Sequence, residues 1–256
     1  MKTVTIDYIK SLKNNSEPFP TITAYDYISA QIIDEAGLPL ILVGDSASMM
    51  VYGYNTTIPI SIDEMLLLVK AVAKGALNAL VVADMPFLSY QPSIEETIKN
   101  AGRLIKEGNA NAVKLEGGKH MYENIKSLVN IGIPVMGHVG LTPQSYNQMS
   151  GYKIQGKTDE EAQNIIDDAI AVEEAGAFSI VLECIPEKLA KQITKKLKIP
   201  TIGIGSGPFC NGQIQVFHDV VGLQKNKPPK HAMVGGNLYN ETLQIITDYK
   251  NKIKKL

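Results

Sequence analysis

Five apolar runs in this chain stop at an acid or an imidazole, and that repetition limits the folds open to it more than any other feature. Pro39-Leu40-Ile41-Leu42-Val43 leads through Gly44 to Asp45 and Ser46, and the run from Ala79 to Ala83 ends in Asp84. Ala112 to Leu115 ends in Glu116, Ile133 to Gly137 in His138, and Phe178 to Leu182 in Glu183. Strands of an all-parallel sheet are covered on both faces and read as unbroken apolar runs, while side chains at their carboxyl ends emerge into a shared mouth. A single Asp in such a place is ordinary turn or helix-cap chemistry. Five in succession, each interval long enough for one helix, describe one convergent site.

The intervals carry helical patterns, which gives an α/β chain of alternating elements. Strands are expected near residues 20–24, 39–43, 79–84, 111–116, 133–138, 178–183, 200–204 and 215–220, although Phe217-His218-Asp219 interrupts the apolar pattern of the last. Asp26 can cap a helix that stops at Gly37, and Ser93-Ile94-Glu95-Glu96 fits a capping box, in which cap hydroxyl and Glu satisfy first-turn amides reciprocally. Further helices are expected near 62–74, 121–130, 159–175 and 187–197. The expected fold is a (β/α)8 TIM barrel spanning residues 1–256 as a single domain, with an extra N-terminal helix over Ile6–Leu12 covering one end. An open doubly wound sheet competes with it, but would not gather five successive strand ends around one point. Two connections, 46–61 and 139–157, are longer than the usual strand-to-helix links and read as binding loops or lids.

Bulk properties exclude several functions. The 25 basic and 26 acidic residues are mixed along the chain, so no strong field exists to attract nucleic acid or anionic lipid. The lysines between Lys250 and Lys255 fit the solvated face of a last helix. No apolar stretch approaches the roughly 20 residues a membrane span needs, and the N-terminus lacks a secretory pattern. Cys184 and Cys210 have neither metal-ligand spacing nor the density of a disulfide framework, so a reduced, cytoplasmic setting is expected.

The chemistry begins with Asp45, Asp84 and Glu116, three carboxylates without companion cysteines. They suit a hard divalent ion with oxygen ligands, and Mg²⁺ in particular, because it keeps waters and needs few protein ligands; structural ion pairs under the barrel mouth are the alternative for any one of them. Lys114 lies two residues before Glu116, so period-two alternation places a cation and an acid on one wall, an arrangement that fits an anionic substrate. Glu183 sits between apolar Leu182 and Cys184, which would make its carboxylate an effective general base; His138 is an alternative for that work. Gly203-Ile204-Gly205-Ser206-Gly207 could cradle a phosphate or form a tight turn.

Taken together, Val43-Gly44-Asp45-Ser46, Ala83-Asp84-Met85-Pro86-Phe87, Val113-Lys114-Leu115-Glu116-Gly117-Gly118, the run Gly137 to Gln144, Val181-Leu182-Glu183-Cys184 and Gly203-Ile204-Gly205 closely resemble the ketopantoate hydroxymethyltransferase family in order and spacing. The resemblance covers roughly residues 20–224. It implies a Mg²⁺ enzyme that forms an enolate of 3-methyl-2-oxobutanoate and adds a one-carbon unit from 5,10-methylenetetrahydrofolate, giving 2-dehydropantoate for pantothenate and coenzyme A synthesis. It implies that Asp45 and Asp84 hold the metal, with Glu116 in or just outside its shell. It places Ser46, Lys114 and His138 against the keto acid, makes Glu183 the base, and implies a homodecamer. The chain departs from the family pattern at Ser46-Ala47-Ser48-Met49 and at Asn55, Leu88, Ser206 and Asn211, and again after Gln224. Ser48 and Leu88 stand where glycine is common, which questions the loop backbone there. Two competitors are a carbon–carbon lyase of the phosphoenolpyruvate mutase type, which would need a reactive loop cysteine, and a non-catalytic barrel that binds a keto acid.

Overall fold

A computed structural model describes residues 3–256. Eight parallel strands close into a barrel: β1 Phe19–Thr23, β2 Leu40–Val43, β3 Leu80–Asp84, β4 Ala112–Lys114, β5 Val135–Gly140, β6 Ser179–Glu183, β7 Thr201–Ile204 and β8 Gly212–Gln215. Each strand pairs with its sequence neighbour, and β8 returns to β1 through Phe19 opposite Gly212 and Thr21 opposite Ile214.

Side-chain alternation divides the core in two. Leu40, Leu42, Leu80, Val82, Ala112, Met136, Val181, Ile202 and Ile214 fill the barrel interior, while Ile41, Val43, Val81, Ala83, Val113, Ile180 and Leu182 face the surrounding helices. The same alternation builds the site. Continuing each inward row by two residues leads from Val82 to Asp84, from Ala112 to Lys114, from Met136 to His138 and from Val181 to Glu183. The polar groups at the mouth are therefore the next layer of the barrel filling.

The N-terminal helix, Ile6–Ser11 followed by a 3-10 turn Leu12–Asn14, inserts Ile9 and Leu12 into the interior cluster beside Phe19. It plugs the end opposite the site, and full burial of Ile9 alone contributes about 2 kcal/mol. Asn211, where the family commonly has Asp, holds this plug. Its carbonyl oxygen accepts from Lys13 Nζ and from the Thr201 backbone N–H, and its amide donates to the Lys13 carbonyl at 3.1 Å.

The eighth strand lies earlier than its sequence suggests. Expected at 215–220, it occupies Gly212–Gln215, and Phe217–Val221 forms a short helix closed by Gly222 at φ +65°. Phe217, Val220 and Val221 have helical rather than alternating spacing, which accounts for the shift. The capping box expected at Ser93 is half formed: Ser93 Oγ accepts from Glu96 N at 3.1 Å, but the Glu96 carboxylate turns to Lys99 and Asn100. Reciprocal boxes occur instead at Ser61/Glu64 and Thr158/Glu161. The last helix, Leu238–Ile253, has no buried residue and carries Lys250 and Lys252 in its last turn.

The two questioned loop positions resolve differently. Ser48 lies in a short helix, Ala47–Met50, and its hydroxyl donates to the Thr56 carbonyl at 2.7 Å, so the extra side chain ties the long loop down. Leu88 sits at φ +63° with its side chain 60% exposed, a left-handed conformation that costs a Cβ-bearing residue roughly 1–2 kcal/mol. Leu88→Gly is therefore expected to raise stability by about 1 kcal/mol, the gain being partly offset by glycine's greater unfolded-state entropy, and denaturant midpoints check it.

Candidate active site

At the carboxyl ends of the strands lies a cavity of about 530 Å³ lined by Asp45, Ser46, Asp84, Lys114, Glu116, His138 and Glu183, among others. Every site residue expected from the sequence is on its wall. Asp84, Lys114 and Glu183 end their strands, His138 lies within β5, and Asp45 and Glu116 stand just beyond β2 and β4.

Lys114 reaches across to the adjacent strand, where Asp84 is its register partner. Its Nζ lies 2.7 and 2.8 Å from the two Asp84 carboxylate oxygens and 4.0 Å from Glu116 Oε1. The cation that alternation places beside Glu116 thus pairs chiefly with Asp84. Asp84 also accepts from the Asp45 backbone N–H at 3.1 Å, which fixes the turn carrying Asp45. Burial lowers the Lys114 pKa in isolation, but the charges of Asp84, Glu116 and Asp45 outweigh it and hold the pKa above its usual value. Asp45 moves the other way for an acid: burial first, then Asp84 and Glu116, push its carboxyl well above the usual range despite Lys114 and Gln144. Negative charge at this floor is incompletely compensated.

His138 lies between two acids, with Nδ1 3.3 Å from Glu116 Oε1 and Nε2 3.1 Å from Glu183 Oε2. The ring N–H directions are off line, so neither nitrogen completes a hydrogen bond, and Glu116 Oε1 is likewise buried without a hydrogen-bond partner. Burial and Lys114 push the imidazole pKa down, but Glu116 and Glu183 outweigh them and raise it to about 9. His138 therefore carries its proton at neutral pH.

Ser46 Oγ shares a 2.7 Å hydrogen bond with Tyr25, whose hydroxyl also accepts from Thr23 Oγ1 at 2.9 Å. The two long loops meet above the cavity. Met49 and Met50 line it from one, and Leu141, Pro143 and Tyr152 from the other. Tyr152 reaches across to Met49, with hydroxyl and sulfur 3.7 Å apart. Residue 184 has φ +46°, and its backbone N–H donates to the Ile204 carbonyl. Such a conformation at a non-glycine residue stores strain next to Glu183. Burial, with the Glu183 charge beside it, pushes the Cys184 thiol up to about 12, so it is protonated and weakly nucleophilic at neutral pH. The glycine-rich run 203–207 leaves the end of β7 in a bend, where Gly205 has φ +62° and a Cβ would lie 3.0 Å from Cys184 Sγ, so a left-handed backbone and close packing account for that glycine.

Gln144 is a site residue that strand-end reasoning passed over. It lies in the 3-10 turn Pro143–Ser145 beyond β5, is buried, and touches both Asp45 and Glu116. The available signal was its place in the Gly137 to Gln144 block, six residues after His138.

The family profile for ketopantoate hydroxymethyltransferase matches residues 3–256. The chain belongs to that family. Relatives named 3-methyl-2-oxobutanoate hydroxymethyltransferase include one from Clostridium kluyveri, 52% identical over 96% of this chain and 88% of its own length. Those from Thermosipho melanesiensis and Moorella thermoacetica are 51% and 48% identical, each over 98% of this chain, and over 95% and 94% of their own lengths. The chain is accordingly an enzyme of the hydroxymethyltransferase class. Among solved structures, phosphonopyruvate hydrolase aligns with a TM-score of 0.64 at 12% identity, over 99% of this chain and 88% of its own. A 2,3-dimethylmalate lyase of the phosphoenolpyruvate mutase/isocitrate lyase superfamily aligns at 0.62 and 15%, over 100% and 88%. These two share the fold, whereas the family relationship rests on the close relatives. No described helix is long and apolar enough to cross a membrane.

Proposed function

We propose that this enzyme transfers a one-carbon unit from 5,10-methylenetetrahydrofolate to 3-methyl-2-oxobutanoate, giving 2-dehydropantoate for pantothenate and coenzyme A synthesis in the cytoplasm. The observation that carries this reading is the single cavity lined by Asp45, Ser46, Asp84, Lys114, Glu116, His138 and Glu183. It combines an oxygen-donor floor, fixed cations for a carboxylate substrate, and one partly exposed acid above them.

The donor set fits Mg²⁺. Asp45 and Asp84 would hold it, with Glu116 in or next to its shell; these are hard oxygen ligands, and Glu116 Oε1 lacks a hydrogen-bond partner. Among the described residues no three His, Cys, Asp or Glu side chains form a ready-made cage, and Mg²⁺ typically keeps several waters. Bound there, the ion would supply Lewis acidity at the 2-keto oxygen and so acidify the C3 proton.

Lys114 and Ser46 orient the keto acid through its carboxylate, and protonated His138 donates from the β5 side. Glu183, 16% exposed at its side chain, takes the C3 proton. Water takes the methylene off the folate as formaldehyde, both C–N bonds breaking and tetrahydrofolate leaving; the C3 carbon then adds to the aldehyde carbon, and the aldehyde oxygen, once protonated, becomes the new hydroxyl. Met49, Leu141 and Tyr152 shield the floor from bulk water. A homo-oligomer, a decamer by family resemblance, completes the reading; exposed Leu243, Ile245, Ile246 and Tyr249 on a helix with no buried residue support a subunit contact there.

Proton NMR of 3-methyl-2-oxobutanoate in D₂O tests the keto-acid half. Loss of the C3 proton signal that needs protein and Mg²⁺, and stops with EDTA, is the expected result; adding methylenetetrahydrofolate should then yield 2-dehydropantoate. Keto-acid binding without exchange, with or without tetrahydrofolate, would leave a binding barrel instead of a transferase.

A further inference from the structure

We infer that Gln144 is a positioning residue that sets the metal-binding geometry of Asp45, an inference that rests on the Mg²⁺ reading above. All four hydrogen-bonding positions of its side-chain amide are used. Nε2 donates to Asp45 Oδ2 at 3.1 Å and to the Met85 carbonyl at 2.9 Å, while Oε1 lies 2.8 Å from the Tyr90 hydroxyl and accepts from Gln91 Nε2 at 3.2 Å. The Met85 carbonyl can only accept, so the amide nitrogen must face it, and this fixes which end meets Asp45. The orientation is therefore imposed by the surroundings.

The same residue reaches the second acid through its backbone, where Gln144 N donates to Glu116 Oε2 at 3.1 Å. Tyr90 closes the loop: its hydroxyl, 2.8 Å from Gln144, accepts from Glu116 N and lies 3.1 Å from the Glu116 carbonyl. One oxygen of each carboxylate is thus engaged by residue 144, while Glu116 Oε1 has no hydrogen-bond partner. Engaging one oxygen of a carboxylate fixes its plane and limits which oxygen a cation can take. Residues that hold metal ligands in this way commonly change metal affinity or activity by about 10–100-fold when lost. Gln144, Tyr90, Gln91 and Glu116 also line a neighbouring cavity of about 390 Å³, so the network forms a wall there too.

Gln144→Met keeps the side chain's length and the backbone bond to Glu116 but removes the amide. We expect its Mg²⁺ dissociation constant, measured by calorimetry without substrate, to rise about 10–100-fold. The Mg²⁺ concentration for half-maximal C3 proton exchange should rise in parallel, with the rate at saturating Mg²⁺ within a few-fold of wild type. A merely structural role would instead lower the rate at every Mg²⁺ concentration. Wild-type Mg²⁺ affinity in folded Gln144→Met, or a rate deficit that Mg²⁺ does not relieve, overturns the inference. Should that variant fail to fold, Tyr90→Phe carries the test: it frees one side of the amide, and a several-fold weakening of Mg²⁺ binding supports the inference while an unchanged constant overturns it. Absence of Mg²⁺ binding in the wild type would overturn the metal reading itself, a separate and distinguishable result.

Discussion

Glu183→Gln is expected to lower turnover by about 10²–10⁴-fold while leaving keto-acid affinity within a few-fold of wild type. The amide oxygen can still lie against His138 Nε2, now 3.1 Å from the carboxylate, so the side chain keeps its place. What it loses is the capacity to accept a proton from carbon. The fall corresponds to roughly 3–5 kcal/mol of barrier, all of it in kcat if the interaction exists only in the transition state. The variant also removes one of the two carboxylates that raise the His138 pKa against burial and Lys114, so turnover is followed across pH to separate any base role that His138 takes on. Steady-state kinetics, with C3 proton exchange followed in parallel, check both halves. Equal turnover in the variant would remove Glu183 from the mechanism, and a loss confined to KM would make it a binding residue.

Much of this was legible in the sequence, for a physical reason. Barrel strands are buried on both faces, so their apolar runs are long and their polar ends conspicuous, and the alternation that puts Val82 inside also puts Asp84 inside. Asp45, Asp84, Glu116, His138 and Glu183 were readable because each interrupts such a run. Lys114 was readable as a site cation, but its partner was not. Pairing with Asp84 depends on the register of β3 against β4, which a single chain does not display. Gln144 was passed over because it is uncharged and lies in a turn, where its role depends on four neighbours drawn from other segments. The β8 boundary failed where a short buried strand meets a short helix, since Gly212–Gln215 offers only one strongly apolar residue, Ile214. Leu88 is the converse case. A departure from glycine put the loop backbone there in question, and Leu88 is found in a left-handed conformation.

The alternative lyase reading fails on local chemistry as well as on kinship. A loop cysteine acting in proton or group transfer needs an accessible, acidified thiol. Cys184 is held protonated by burial and by Glu183, and Cys210 is buried with its thiol pKa raised, chiefly by burial. The acids and Lys114 remain as the reactive inventory, and their balance yields the second large effect.

Lys114→Met should cost about 3–5 kcal/mol of stability near neutral pH without metal, because it removes one partner of a buried ion pair and leaves the other uncompensated. For a chain of this size that is a fall in melting temperature of roughly 10 °C. The loss should depend on pH in a defined direction. Asp45 already has a raised pKa with the ammonium present, and removing a charge that lowers it raises it further. An acid whose folded pKa lies above its unfolded value favours folding at low pH and loses that contribution as pH rises through the folded pKa. The deficit should therefore be full above the raised Asp45 pKa, shrink as pH falls through it, and be smallest below about pH 4, the ordinary Asp range. Mg²⁺ should then stabilise the variant more than it stabilises wild type, since a dication between Asp45 and Asp84 replaces charge that Lys114 supplied. Thermal scans at several pH values, with EDTA and with Mg²⁺, measure every part of this. A variant as stable as wild type in EDTA would mean that Lys114 merely offsets its own desolvation cost and is retained for the substrate carboxylate. A full deficit that Mg²⁺ does not relieve would place the ion away from Asp84.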